Sequence, residues 1–176
     1  ELDDFLYVWE TFEIDDMLTL NGKPRIWTDE KYFFADNWVW NLYIERISLE
    51  YRKKIARDPR YHDRMTTLIE FARGGEEGIE EALGYLHEEI LKRARLIYIR
   101  VSYEESARKN RRRARKGMED SILYHSLPDS KMEFYYKTND WEKLEARDPK
   151  YIEVKGYKIP YAVFENEPEW AEYRKG

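Results

Sequence analysis

Arg108, Arg111, Arg112 and Arg115 recur at i, i+3, i+4 and i+7 within the stretch SYEESARKNRRRARKG, Ser102 to Gly117. On a helix that spacing places four guanidinium groups on one face. Each guanidinium is a planar fork of N–H donors that matches two phosphate oxygens, so the four together form a phosphate clamp. Ala107 to Lys116 holds seven positive charges and no carboxylate, in a chain whose net charge is −5. Two other readings stand beside the clamp. One is a solvated helix whose cations pair with neighbouring glutamates and favour the helix C-terminus. The other is a nucleic-acid-binding helix, which the acid-rich remainder opposes because it repels a polyanion.

A second group of candidates lies near the start of the chain. Glu13, Asp15 and Asp16 lie in or just after FEI, a strand-like run, and an aspartate there can orient or deprotonate a substrate hydroxyl. On a strand Asp15 and Asp16 point opposite ways, so at most one faces a site; Asp-Asp is equally at home at a helix or turn start. Lys23, Arg25 and Lys31 suit an anionic acceptor, or are ordinary surface cations. The chain has no cysteine, which excludes disulfides, thiolate metal sites and cysteine nucleophiles. His62, His87 and His125 share no metal-ligand spacing, so no zinc site is expected, and His62 and His125 read as structural.

These groups need elements to hold them. With 176 residues, 42 % of them hydrophobic and 16 % aromatic, the chain has material for one domain with a real core. No apolar run reaches membrane-span length and nothing resembles a signal peptide, so a cytoplasmic protein away from membranes is expected. Glu1 to Tyr7 reads as a short helix and Phe12-Glu13-Ile14 as a strand, with a turn at Asn21-Gly22. Thr28 reads as the N-cap of a long helix from Asp29 into the Lys53 region, with Trp38, Leu42, Ile44, Ile47 and Leu49 on its apolar face. Its aromatic cluster, Tyr32, Phe33, Phe34, Trp38 and Trp40, suits helix core, and its density permits a helical substrate cap over residues 29–56 or a partner surface.

Further along, Thr66 to Phe71 is β-prone and ends at Arg73-Gly74-Gly75. Ile79 to Leu91 has helical periodicity, and Leu96 to Val101 is a second strand. Ser102 and Glu105 have the spacing of a capping box, and Gly117 is placed to end the helix they start. Asp129–Lys137 and Asp140–Ala146 read as short helices. Tyr151–Val154 and Tyr157–Ile159 flank Lys155-Gly156 as a hairpin, and Tyr161–Glu165 reads as a last buried strand. Strands alternating with helices predict a single α/β domain with a mostly parallel sheet flanked by helices. The basic helix, residues 104–117, then begins at the carboxyl edge of the sheet, where open α/β sheets bind ligands.

LIYIRVSYEESARKNRRR resembles the fourth strand and lid helix of P-loop small-molecule kinases, the adenylate-kinase-like group of nucleoside and metabolite kinases. TTLIEFARGG resembles their Walker B-type strand, and YAVFEN, Tyr161 to Asn166, their last core strand. The resemblance covers roughly Thr66 to Asn166. It implies a P-loop NTPase-like three-layer sandwich and ATP-dependent phosphoryl transfer to a small metabolite or nucleoside-type acceptor. It further implies ATP held by Arg108, Arg111, Arg112 and Arg115, with Asn166 in the loop near the adenine and Arg111 neutralising the transferring phosphate. Glu70 would stand beside Mg²⁺, and Asp15 or Asp16 would address the acceptor. The departure is the Walker A loop: no G-x-x-x-x-G-K-[ST] occurs. Gly74-Gly75-Glu76-Glu77-Gly78 cannot replace it, having no lysine and two acids. The family places that loop upstream of everything matched here, and the chain starts at Glu1. The cradle is thus expected before Glu1, or else nucleotide cleavage has been lost. The rival from another class is a non-catalytic α/β binding protein whose basic helix docks nucleic acid or an acidic partner.

Overall fold

Phe12 to Asp16, strand-like in isolation, lies inside a helix. The computed structural model describes residues 1–113 and 126–167. Arg115, Gly117 and His125 fall outside the described residues. The chain is a mixture of helices and strands with small sheets of two and three strands. It divides into two units, Glu1–Ala72 with Glu81–Arg93, and Arg73–Glu80 with Ala94–Gly176.

In the first unit β1 (Leu2–Asp3) pairs in parallel with β2 (Ile69–Glu70), which follows α1 (Phe5–Leu20), α2 (Val39–Arg57) and α3 (Tyr61–Arg64). The short helix expected at Glu1–Tyr7 is instead β1 followed by the start of α1. Val8, Thr11 and Asp15 form its buried stripe at i, i+3 and i+7, so the 3.6-residue period prevails over the β-propensity of Phe12 and Ile14. Asn21 caps the end of α1, and Gly22 takes a left-handed φ of 68°, as the Asn-Gly turn predicts. The long helix expected from Asp29 begins only at Val39. Thr28 caps no helix; its N–H and hydroxyl both go to Asp15. The Asp36 carboxylate takes the Trp38 N–H at 2.8 Å and sets the start of α2. Pro59 disfavours helical geometry at Asp58, whose extended backbone ends α2. Ile44 and Ile47 are fully buried, and Tyr43, Val39 and Val8 form a core cluster against Phe12, Trp27, Phe34 and Trp40. Trp38 and Leu49 are exposed. The expected Ile79–Leu91 helix is two pieces, α4 (Gly78–Tyr85), whose residues up to Glu80 belong to the second unit, and α5 (Glu88–Leu91). Extended His87 interrupts it; its Nδ1 takes the Glu89 N–H, and its own N–H donates to Ser48 Oγ.

The second unit holds β3 (Leu96–Arg100), α6 (Tyr103–Arg113), α7 (Asp129–Tyr136), α8 (Trp141–Arg147), β4 (Tyr151–Val154) and β5 (Tyr157–Glu165). Its sheet runs β3-β5-β4, with β3 parallel and β4 antiparallel to β5. Lys155 and Gly156 have φ of 51° and 80°, the left-handed pair of a type I′ turn. Trp141 is buried; its ring stacks on Tyr98 at 4.1 Å and meets Tyr161 edge-on at 5.2 Å. Ile97 and Ile99, in register with Ala162 and Phe164, occupy the other face and are exposed. The last strand is therefore half-exposed rather than buried. Gly74 is tightly enclosed: a Cβ there would lie 1.9 Å from the Tyr135 carbonyl oxygen. Asp140 accepts the Ile79 and Glu80 N–H groups, both at 2.9 Å, and so caps α4 from 60 residues away. No described helix is long and apolar enough to cross a membrane.

Candidate functional site

The basic helix starts as its sequence predicts, at the carboxyl end of β3. The Glu105 N–H donates to Ser102 Oγ at 3.2 Å. The reciprocal half of the capping box is absent, because the Ser102 N–H goes to the Glu167 carboxylate at 2.9 Å. The Glu105 carboxylate is gripped instead by Arg108, whose Nε and Nη2 each lie 2.6 Å from one of its oxygens. That hydrogen bond, reinforced by the charges of Arg108 and Lys109, holds the Glu105 carboxyl below the usual range. One turn on, Arg111 forks onto Asp129: Nε is 3.0 Å from Oδ1 and Nη2 is 3.0 Å from Oδ2. Arg112 is exposed on the same helix, and its charge also bears on Glu105.

Ala107 and Asn110 are the buried face of α6. Asn110 locks both backbone groups of Leu127, donating to its carbonyl at 2.6 Å and accepting its N–H at 2.9 Å. This fixes the approach to α7 and thereby places Asp129 against Arg111. Asn166 follows β5 directly. Its N–H donates to the Arg100 carbonyl at 2.9 Å, and its carbonyl accepts from Lys109 at 3.3 Å. Asn166 and the first turns of α6 thus meet at the carboxyl end of the β3–β5 pair. Arrayed guanidinium forks, a lysine and two backbone segments at a sheet edge can bind a polyanion. In this state the forks of Arg108 and Arg111 hold carboxylates.

Asp15 and Asp16 belong to the first unit. Asp15 has no exposed surface. Its carboxylate takes the N–H groups of Ile26 (2.8 Å), Trp27 (3.2 Å) and Thr28 (2.7 Å), and the Thr28 hydroxyl (2.8 Å). Burial pushes its carboxyl up, but these bonds from Ile26, Thr28 and Trp27 together outweigh burial, and the net shift is downward. Asp16 is 43 % exposed; it accepts from Arg25 Nη1 at 2.7 Å and the Tyr32 hydroxyl at 3.0 Å. Arg25 also lies 4.7 Å above the Tyr32 ring. Tyr32 has φ 60°, a left-handed backbone that a bulky residue takes only where its surroundings enforce it. Of the two aspartates, Asp16 alone keeps exposed surface.

Glu70 ends β2, exposed, directly across the ladder from Asp3. Parallel partners project to the same side, so a carboxylate pair sits at the carboxyl end of these two strands. Among the described residues no group of three His, Cys, Asp or Glu side chains can hold a metal ion by itself. His62 packs with Tyr51 and Tyr61, its Nε2 3.0 Å from the Tyr51 hydroxyl, in keeping with a structural role. Sequence reasoning did not find Asp3, Asp129, Asp140 or the roles of Arg25 and Tyr32. Asp3 precedes a helix as a capping residue does, its carboxylate taking the Phe5 N–H, and that signal was available. The Arg111–Asp129 pair spans 18 residues and leaves no periodic trace. A scan against protein-family models, a search of curated proteins and a search of solved structures each return no match to this chain.

Proposed function

We propose that this chain bears the lid of an ATP-dependent phosphotransferase of the P-loop small-molecule kinase type, built as a three-layer sandwich, acting on a small metabolite or nucleoside-type hydroxyl. The reading requires a phosphate cradle in addition, since no G-x-x-x-x-G-K-[ST] loop occurs among these 176 residues. One observation carries it: parallel neighbours β3 and β5 deliver α6, with its arginines, and the Asn166 loop to one carboxyl edge. In this reading Arg108, Arg111, Arg112 and Arg115 pair with phosphate oxygens and neutralise charge as the phosphoryl group moves. Asn166 lines the adenine side. Asp16 orients the acceptor hydroxyl, and Asp15 holds the loop that carries Asp16's partners. Mg²⁺ is ordinarily held by one or two carboxylates, waters and substrate phosphates, which Glu70 with Asp3 suits without a third protein ligand.

Thermal unfolding of the full-length protein with and without Mg-ATP tests this. At a hundred times the dissociation constant, binding adds about 2.7 kcal/mol, or about 5–10 °C at this chain length. An unmoved transition refutes the reading. The non-catalytic alternative, a binding protein that docks an acidic partner or nucleic acid through α6, is favoured by one observation: Arg108 and Arg111 are already satisfied by carboxylates. It predicts no Mg-ATP shift and binding that weakens steeply with salt.

A further inference from the structure

α6 carries its own competitors. Arg108 holds Glu105, Arg111 holds Asp129 in a two-point fork, and the Ser102 N–H at the helix start holds Glu167. Each carboxylate occupies a donor that a phosphate would otherwise use. The three differ in origin. Glu105 lies on α6 itself, i to i+3 from Arg108, and moves with it. Asp129 comes from the first turn of α7, and its position is imposed by the Asn110 lock on Leu127. The Arg111–Asp129 contact is therefore a placed contact between two elements, not an accident of neighbouring side chains. Both side chains are 61 % exposed, so the pair is held weakly and a ligand can reach it without unfolding anything.

From this arrangement we infer that Asp129 is a built-in competitor for the anion site: it occupies Arg111 in the ligand-free protein and gives way to a phosphate-bearing ligand. The inference rests on the proposed phosphate-binding role of α6 and adds its regulation. A monovalent carboxylate holds the fork in its bound geometry, ready for a dianionic phosphate that gains more from the same donors. The contact sets an affinity threshold. Polyphosphates displace Asp129, whereas singly charged carboxylate metabolites, no better than Asp129 itself, do not.

The test uses inorganic tripolyphosphate and the full-length protein, with binding followed by calorimetry at fixed ionic strength. Asp129→Asn should tighten tripolyphosphate binding about two- to fivefold, the range expected for release of an exposed ion pair, and Arg111→Ala should weaken it. In the Arg111→Ala background Asp129→Asn should have no further effect. Glu104→Gln, exposed in the first turn of α6, removes the same charge without releasing an ion-paired cation and serves as the control. Equal gains from Asp129→Asn and Glu104→Gln, or no gain from Asp129→Asn while the wild type binds, overturn the inference and leave the phosphate-binding role standing. If neither wild type nor Asp129→Asn binds tripolyphosphate, the phosphate-binding role itself fails. Should Asp129→Asn not fold, the wild-type Arg111 Nε–H resonance decides: it must shift on tripolyphosphate addition, and a static signal under saturating binding sinks the idea.

Discussion

Replacing Asp15 separates a structural anchor from a catalytic base. Its carboxylate is fully buried and serves three consecutive backbone N–H groups, Ile26 to Thr28, and the Thr28 hydroxyl. Asp15→Ala strands those three donors in a closed pocket. An unsatisfied buried donor costs about 1–3 kcal/mol, and partial entry of water keeps the sum below simple addition. A loss of about 3–4 kcal/mol is expected, read as a lower urea midpoint with an unchanged slope. Thr28→Val removes the hydroxyl that donates to Asp15 and accepts from Arg25 Nε and Nη2, and should cost about 1–3 kcal/mol. The pH dependence follows from the lowered carboxyl pKa. A group depressed in the folded state stabilises above its unfolded value, near 3.9, and that contribution is lost as pH falls through the folded value. Wild-type stability should thus fall with acidification below about pH 5, and Asp15→Asn should remove that component of the slope. An Asp15→Asn protein that unfolds at the wild-type urea concentration with the wild-type acid sensitivity would refute the anchor.

Gly74→Ala places a methyl group against the Tyr135 backbone carbonyl, which cannot move away as a side-chain tip can; a loss of at least about 2 kcal/mol is expected by urea denaturation. Asp140→Ala frees the Ile79 and Glu80 N–H groups and should lower stability by about 1–2 kcal/mol, with faster hydrogen exchange at those two amides. Asn110→Asp keeps the bond from the Leu127 N–H but sets a carboxylate against the Leu127 carbonyl. Exchange protection at Leu127 should collapse while β3 and β5 amides stay protected.

The second unit was the more legible in sequence because its signals are local. Ser102 and Glu105 announce the start of α6, Lys155-Gly156 announces the hairpin, and the runs at Leu96 and Tyr161 are strands. The first unit turned on contacts distant in sequence. Thr28 has the chemistry of a helix cap, yet Asp15 takes its donors and keeps residues 29–38 out of the helix. The same carboxylate explains why an acid at the end of FEI is not evidence of a strand edge: it closes a loop over a helix. His87 breaks an otherwise helical pattern because Ser48, 39 residues away, takes its N–H. At the candidate site the arginine face was readable from spacing, whereas the carboxylates that occupy it were not. Asp129 reaches Arg111 through the Asn110 lock, a tertiary arrangement with no sequence period.

Ile97, Ile99 and Phe164 stand 70 %, 56 % and 47 % exposed on one side of the β3–β5 pair, and β3 is an edge of its three-stranded sheet among the described residues. An apolar strand face beside an open ladder edge is a template for pairing between molecules. Colloidal behaviour, rather than conformational stability, should then limit work with this chain by itself. Light scattering should rise with protein concentration well below the unfolding temperature, and Ile97→Lys should suppress it without moving the urea midpoint.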